Sequence, residues 1–167
     1  MDAAPLLIRI ARLLQQHNLE AILIGNAGAA LQGAPVTTVD IDFLFRKTPA
    51  NLGKLKALAG DLDAVILRPY YPVSGLYRIS RDDDGLQLDF MTVIDGIPSI
   101  GGLRRRAKTI PIGGDAHLRV ASLSDILRSK KAAGRARDLA VEDVLQKTLD
   151  EESRLQKGEA GSSQKRD

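Results

Sequence analysis

A chain of 167 residues with 44% hydrophobic content has the size of one ordinary domain and can bury a core without crosslinks. It has no cysteine, which excludes disulfide frameworks and thiolate metal sites, and with two histidines any metal has to be held mainly by oxygen. The 24 basic and 21 acidic residues leave a net charge of +3, which admits a polyanionic substrate but lacks the strong excess of a dedicated nucleic-acid binder.

Leu6, Leu7, Ile10, Leu13 and Leu14 recur at helical spacing and predict a helix from about Pro5 to His17, with Pro5 suited to its first turn. The same segment carries Arg9 and Arg12 and has neither a continuous apolar run nor a small-residue cleavage site. No later apolar run approaches the roughly 18 residues that span a bilayer, so the expectation is a cytoplasmic chain without a membrane segment. Ala21 to Ile24 reads as a buried strand, followed by a Gly25 turn and a tightly packed small-residue helix over Asn26 to Gln32.

Val39 to Phe45 alternates and then becomes wholly apolar, as a central strand does. A helix over Pro49 to Ala59 and a strand near Ala64 to Leu67 follow. Leu76 to Ser80 and Leu86 to Val93 flank Arg81-Asp82-Asp83-Asp84-Gly85, a solvated turn cluster that predicts a hairpin. Short strands are expected near Thr109 to Ile112 and Leu118 to Val120. Ser122-Leu123-Ser124-Asp125 has capping-box spacing ahead of a helix to Ala133, Gly134 breaks it, and a last helix runs from about Ala136 to Leu149. Beyond it the chain is polar and Gly/Ser-rich, so the reading is a single domain over 1–152 and a mobile polar tail over 153–167.

In a strand, residues two apart share a face, so Asp40 and Asp42 are expected to project together while Ile41 and Phe43 enter the core. Two such carboxylates repel unless a cation lies between them, and a hard, oxygen-liganded ion such as magnesium suits the pair. A lone D-x-D more often only pairs with arginines; here it heads an apolar strand, where unmatched charge is costly. Asp89 is the lone acid in Leu86 to Val93 and is positioned either to join the pair across adjacent strands or to face water at an edge. Gly25-Asn26 lies between strand and helix, where the backbone can approach a phosphate closely. Arg104-Arg105-Arg106 is either a solvated face or a contact for a polyanionic acceptor. His17 and His117 lack partners at metal-ligand spacing and read as surface residues.

Leu23-Ile24-Gly25-Asn26, the pair Asp40-Ile41-Asp42 and the later Asp89 together resemble the DNA polymerase β-type nucleotidyltransferase superfamily, with its apolar-Gly-Gly/Ser turn, D-x-D/E pair and third carboxylate. A second stretch, Ser122 to Leu139, is similar to the K-x-A-G-R-x-x-D-L segment of small bacterial members, including AbiEii-type toxin nucleotidyltransferases. The resemblance implies an α/β (α+β) nucleotidyltransferase fold, a small mixed sheet flanked by helices with a C-terminal helical pair. It implies Asp40, Asp42 and Asp89 as catalytic carboxylates and ligands of Mg2+ or Mn2+. It also implies Gly25, Asn26, Thr38, Lys130 and Arg135 as groups around the phosphates of an NTP such as ATP.

The implied reaction moves an NMP to an acceptor hydroxyl and releases pyrophosphate. Acceptors compatible with the resemblance are RNA in a toxin-like enzyme with an antitoxin partner, a protein side chain, or an aminoglycoside-like small molecule. Two departures from the family pattern, Asn26 for the second Gly or Ser and Val36 where relatives carry arginine, motivate a rival: a nucleotide-binding member of the fold that does not catalyse transfer.

Overall fold

A computed structural model describes residues 3–67 and 75–163. Helix α1 spans Ala3–Gln16, strand β1 Ala21–Ile24, the short helix α2 Gly25–Ala30, and strand β2 Ile41–Phe45. Helix α3 covers Pro49–Asp61, entered through Thr48, whose hydroxyl accepts from the Asn51 N–H, with Pro49 in the first turn. Strands β3 (Val65–Leu67), β4 (Leu76–Arg81) and β5 (Leu86–Met91) precede helix α4 (Ile100–Arg106). Strands β6 (Lys108–Gly113) and β7 (Ala116–Val120) lead into helix α5 (Leu123–Ala133). A single 3₁₀ turn at Ala136–Asp138 joins it to helix α6 (Leu139–Ser163).

Among the described residues seven strands form one sheet in the order β3-β4-β5-β2-β1-β7-β6. The pairings β1–β7 and β2–β5 are parallel and the others antiparallel, so the sheet is mixed and β1, β2 and β5 lie inside it. Alternation sends Leu23, Phe43, Phe45, Leu88 and Phe90 into a core closed by α1 and α3. Ile22, Ile24 and Leu44 go to the opposite face, under α5 and α6.

Phe43 and Phe90 are register partners whose rings stack at 5.0 Å between centroids. Phe45 meets Phe90 and Tyr77 edge-on at 5.9 and 5.8 Å. These aromatic contacts lock β2, β5 and β4 to one register, since a one-residue slip would carry every ring to the other face. The register matters because the neighbouring pair is Asp42 opposite Asp89.

The structure differs from the sequence reading at several boundaries. Strand β2 begins at Ile41 rather than Val39: Val39 is 88% exposed, and the Thr38 hydroxyl donates to the Asp40 carbonyl at 2.7 Å, turning the chain before the strand. Strand β5 stops at Met91, leaving Val93 exposed. The last helix does not end near Leu149 but continues through Ser163, so residues 153–163 of the expected tail are helical; residues 164–167 lie outside the described residues. The segment from Glu151 to Lys157 is built of Glu, Lys, Arg, Gln, Leu and Ser, which sustain a helix without an amphipathic stripe. Arg104 to Arg106 form the last turn of α4, where cations suit the helix end. Among the described residues no helix is long and apolar enough to cross a membrane.

Candidate active site

The register of the sheet builds a row across its second face that begins on apolar Ile24 and continues in polar groups. Ile24 on β1 pairs with Asp42 on β2, Asp42 with Asp89 on β5, and Asp89 with Arg78 on β4. Partners in register point to the same side, so the two carboxylates stand side by side, as the sequence reading required. Asp89 is buried, at 9% exposure, which rules out the alternative of an edge aspartate facing water. Asp40 lies just outside β2 on the turn that Thr38 holds, and it is exposed where Asp42 is half-buried.

Gly25 sits at the mouth of this row. Its φ is +65°, a left-handed conformation that glycine adopts at low cost. A Cβ there would stand 3.0 Å from Asp42 Oδ2, so the missing side chain also makes room for the carboxylate. Asn26 does not present its side chain freely to a phosphate: Nδ2 donates to the Thr37 carbonyl at 3.1 Å, tying the head of α2 to the turn before Asp40. That bond uses one of the two amide hydrogens.

The opposite wall of the cleft comes from the end of α5 and the turn after it. Gly134, at φ +61°, caps α5 in the left-handed conformation and donates its N–H to the Lys130 carbonyl. The chain then reverses through Arg135 into the 3₁₀ turn, where the Asp138 N–H donates to the Arg135 carbonyl at 2.9 Å. This brings the Asp138 carboxylate to Lys130, whose Nζ donates to Oδ1 at 2.9 Å, both side chains being 13% exposed. Gly134 thus makes the reversal and Asp138 anchors Lys130, the residue ahead of the lysine that the K-x-A-G-R-x-x-D-L spacing selects, Lys131, which is exposed.

Two adjoining hollows of about 310 and 260 Å³ share Gly25, Asp42, Lys130, Arg135 and Asp138, and so form one continuous cleft. The first extends past Met91 at the end of β5 to Val93 and Asp95 beyond it, and the second past Asn26, Thr38 and Asp40. Gly25, Asn26, Thr38, Asp40, Asp42, Lys130 and Arg135 therefore line one cleft, with Asp89 in register beside Asp42. Arg78 and Asp138 were not singled out from sequence; the signal for Asp138 was present in the downstream motif, and none was available for Arg78.

Arg104, Arg105 and Arg106 are not among these cleft residues. Arg106 instead pairs with the buried Asp125 through two hydrogen bonds of 2.8 and 3.0 Å, joining α4 to α5. His17 is more enclosed than expected, with Nε2 2.6 Å from Asp61 Oδ2, whereas His117 is exposed.

Burial, then Asp89, then Asp40 push the Asp42 carboxyl up to about 6 from an ordinary 3.8, against the opposing pull of Lys130 and Arg78. The carboxylate cluster is thus short of positive charge, although among the described residues no three acidic or imidazole side chains already converge as a metal cluster. Because the folded pKa lies above the ordinary value, Asp42 stabilises the fold fully below about pH 4 and loses that contribution as pH rises through about 6. Without divalent cations, Asp42→Asn should therefore be more stable than wild type near pH ~7, by up to about 3 kcal/mol, and no more stable near pH ~4. Urea unfolding of both proteins at the two pH values checks this, and equal stability at neutral pH would contradict it.

The Lys130–Asp138 pair gives a second expectation. Asp138→Asn leaves a largely buried ammonium without its partner and should cost about 3 kcal/mol. Replacing both, as Lys130→Met with Asp138→Leu, should recover most of that stability, which denaturant midpoints of the wild type and the two variants check.

No family pattern and no curated protein matches the chain in sequence. Solved structures do match in shape. A Thermotoga maritima protein provisionally described as a nucleotidyltransferase aligns at a TM-score of 0.57 and 18% identity, over 88% of this chain and 92% of its own. ANT(2'')-Ia crystallised with adenylyl-2''-tobramycin aligns at 0.64 and 16%, over 89% of this chain and 90% of its own. The solution structure of the same antibiotic-resistance factor aligns at 0.59 and 15%, over 98% and 97% of the two chains. At these identities the likeness establishes architecture: this chain has the mixed-sheet fold of the nucleotidyltransferases.

Proposed function

We propose that this chain is a divalent-cation-dependent nucleotidyltransferase, which moves an NMP from an NTP to an acceptor hydroxyl and releases pyrophosphate. One juxtaposition carries the reading: Asp42 and Asp89 stand in register on neighbouring parallel strands, and Asp42 lines a cleft whose far wall holds Lys130 and Arg135. The shared fold adds to it.

The residues present fit magnesium or manganese. Asp40 and Asp42 offer hard oxygen donors, and the raised Asp42 pKa marks a site that gains from added positive charge. With Asp89 as the third carboxylate, these residues would hold the ions. Such a cation, when bound, polarises phosphate oxygens and lowers the pKa of the acceptor hydroxyl.

The chain's own groups do the rest. Gly25 lets the triphosphate approach the backbone beside Asp42, while Asn26 and Thr38 hold the turn that carries Asp40. Lys130 and Arg135 offset the phosphate charge from the opposite wall. Asp89 receives the proton of the acceptor hydroxyl as its oxygen bonds to the α-phosphorus. The bond from that phosphorus to the oxygen bridging to the β-phosphate breaks, and pyrophosphate leaves with the electron pair.

For the acceptor, a small molecule with an aminoglycoside-like hydroxyl is favoured by the likeness to ANT(2'')-Ia, a protein captured with an adenylylated aminoglycoside. A toxin-like activity on RNA with an antitoxin partner, or transfer to a protein, rests on the sequence resemblance alone. The deciding experiment incubates the full chain with each α-labelled NTP, Mg2+ and either cell extract or an aminoglycoside panel. Label in the small-molecule fraction supports the favoured acceptor, and label in RNA or protein replaces it. NTP binding without transfer to any fraction supports a non-catalytic member of the fold and overturns the proposal.

A further inference from the structure

Asp89 has a partner inside the protein. Arg78 Nε donates to Asp89 Oδ1 at 2.7 Å and Nη2 donates to Oδ2 at 2.8 Å, a two-pronged contact that engages both carboxylate oxygens. Arg78 and Asp89 are antiparallel register partners on β4 and β5, so the sheet itself sets their alignment. The Asp89 side chain is 12% exposed and that of Arg78 is 37% exposed, which places the guanidinium on the rim and the carboxylate beneath it. A strand salt bridge needed only for stability could occupy any position on this face. This one falls on the carboxylate next to Asp42.

We infer that Arg78 is the positioning residue of the acceptor-side step: its fork fixes the plane of the Asp89 carboxylate beside Asp42 and supplies fixed positive charge at that end of the cluster. The accounting of lone pairs supports this. An ionised carboxylate has about four acceptor sites, and the fork takes one on each oxygen. The remaining sites lie in the plane that Arg78 imposes, so a cation or an acceptor hydroxyl meets Asp89 in one orientation. A lysine at this position would bring equal charge but no fork, and would leave the carboxylate free to rotate.

This inference rests on the proposed nucleotidyl transfer, and its test contains an arm that does not. The full chain is compared as wild type, Arg78→Gln and Arg78→Lys. Each protein is assayed for NTP affinity by calorimetry, for steady-state transfer, for Mn2+ affinity without nucleotide, and for its denaturant midpoint. Arg78→Gln should keep NTP affinity and KM for NTP within about threefold of wild type while kcat falls about tenfold or more, the loss expected when a reacting group is misaligned. Arg78→Lys should restore no more than part of kcat.

Removing the guanidinium charge and freeing two carboxylate oxygens should tighten Mn2+ binding several-fold in Arg78→Gln and leave it near wild type in Arg78→Lys. A purely structural pair predicts another pattern: a lower denaturant midpoint with kcat and Mn2+ affinity unchanged, which would overturn the inference. If the wild type transfers no nucleotide, the proposed activity fails, and the Mn2+ comparison alone decides whether Arg78 tunes the carboxylate cluster. If the wild type binds no Mn2+, both fail.

Discussion

Exchanging Asp40 and Asp42 together for asparagine should abolish divalent-cation binding and reduce transfer by about three orders of magnitude or more, about 4 kcal/mol of transition-state stabilisation. The fold should survive the change. Asp42 is opposed by Asp89 and Asp40 and is pushed up to about 6, so neutralising the pair removes repulsion that the cation-free protein otherwise bears. The two positions contribute unequally. Asp42 stands on β2 behind Gly25, whereas Asp40 sits on an exposed turn held by the Thr38 hydroxyl. Asp42→Asn alone should therefore cost more cation affinity than Asp40→Asn alone. The readouts are Mn2+ titration of the three variants and urea unfolding without metal. Unchanged Mn2+ affinity in the double variant would remove the cation site from these residues.

Asp89→Asn should behave differently, sparing NTP binding to within about threefold while transfer falls about a hundredfold or more, the range expected for loss of a positioned base. Gly25, Lys130 and Arg135 remain to engage the triphosphate, and Asp40 and Asp42 remain for the cation. An aspartate serving only as the partner of Arg78 would show the opposite emphasis, a lower unfolding midpoint with transfer intact. Calorimetry and label transfer at one magnesium concentration distinguish the outcomes. Normal transfer by Asp89→Asn would rule out a three-carboxylate mechanism.

Much of this arrangement was readable before any coordinates. The unbroken apolar runs Ala21 to Ile24 and Phe43 to Phe45 mark buried strands, and Ser122 before Leu123 marks the start of α5, because both signals are local. What was missed depends on register or competition. That Arg78 meets Asp89 follows from which residue of β4 lies opposite which residue of β5, and single-sequence periodicity does not specify that pairing. Asp40 was assigned to the strand because alternation continues through it, while a side-chain bond from Thr38 turns the backbone first. The resemblance implies Lys130 as a group around the phosphates; the fold shows that Asp138, eight residues on, already accepts a hydrogen bond from it. The continuation of α6 beyond Leu149 escaped notice because a helix without an apolar stripe leaves no periodic trace.

The two carboxylates that stand side by side on β2 and β5 are separated by 47 positions in the chain, and their strands lie inside the sheet rather than at its edges. Such a site exists only when the whole sheet is assembled, so ligation there is thermodynamically linked to global unfolding and not to a local loop equilibrium. A cation at a hundred times its dissociation constant should raise the unfolding free energy by about 2.7 kcal/mol. It should also slow amide exchange in β2 and β5 together with the aromatic core on their other face. The opposite wall, carried by α5 and the turn after Gly134, depends instead on the Lys130–Asp138 and Arg106–Asp125 pairs, so amide protection there should follow those contacts rather than the register of the sheet.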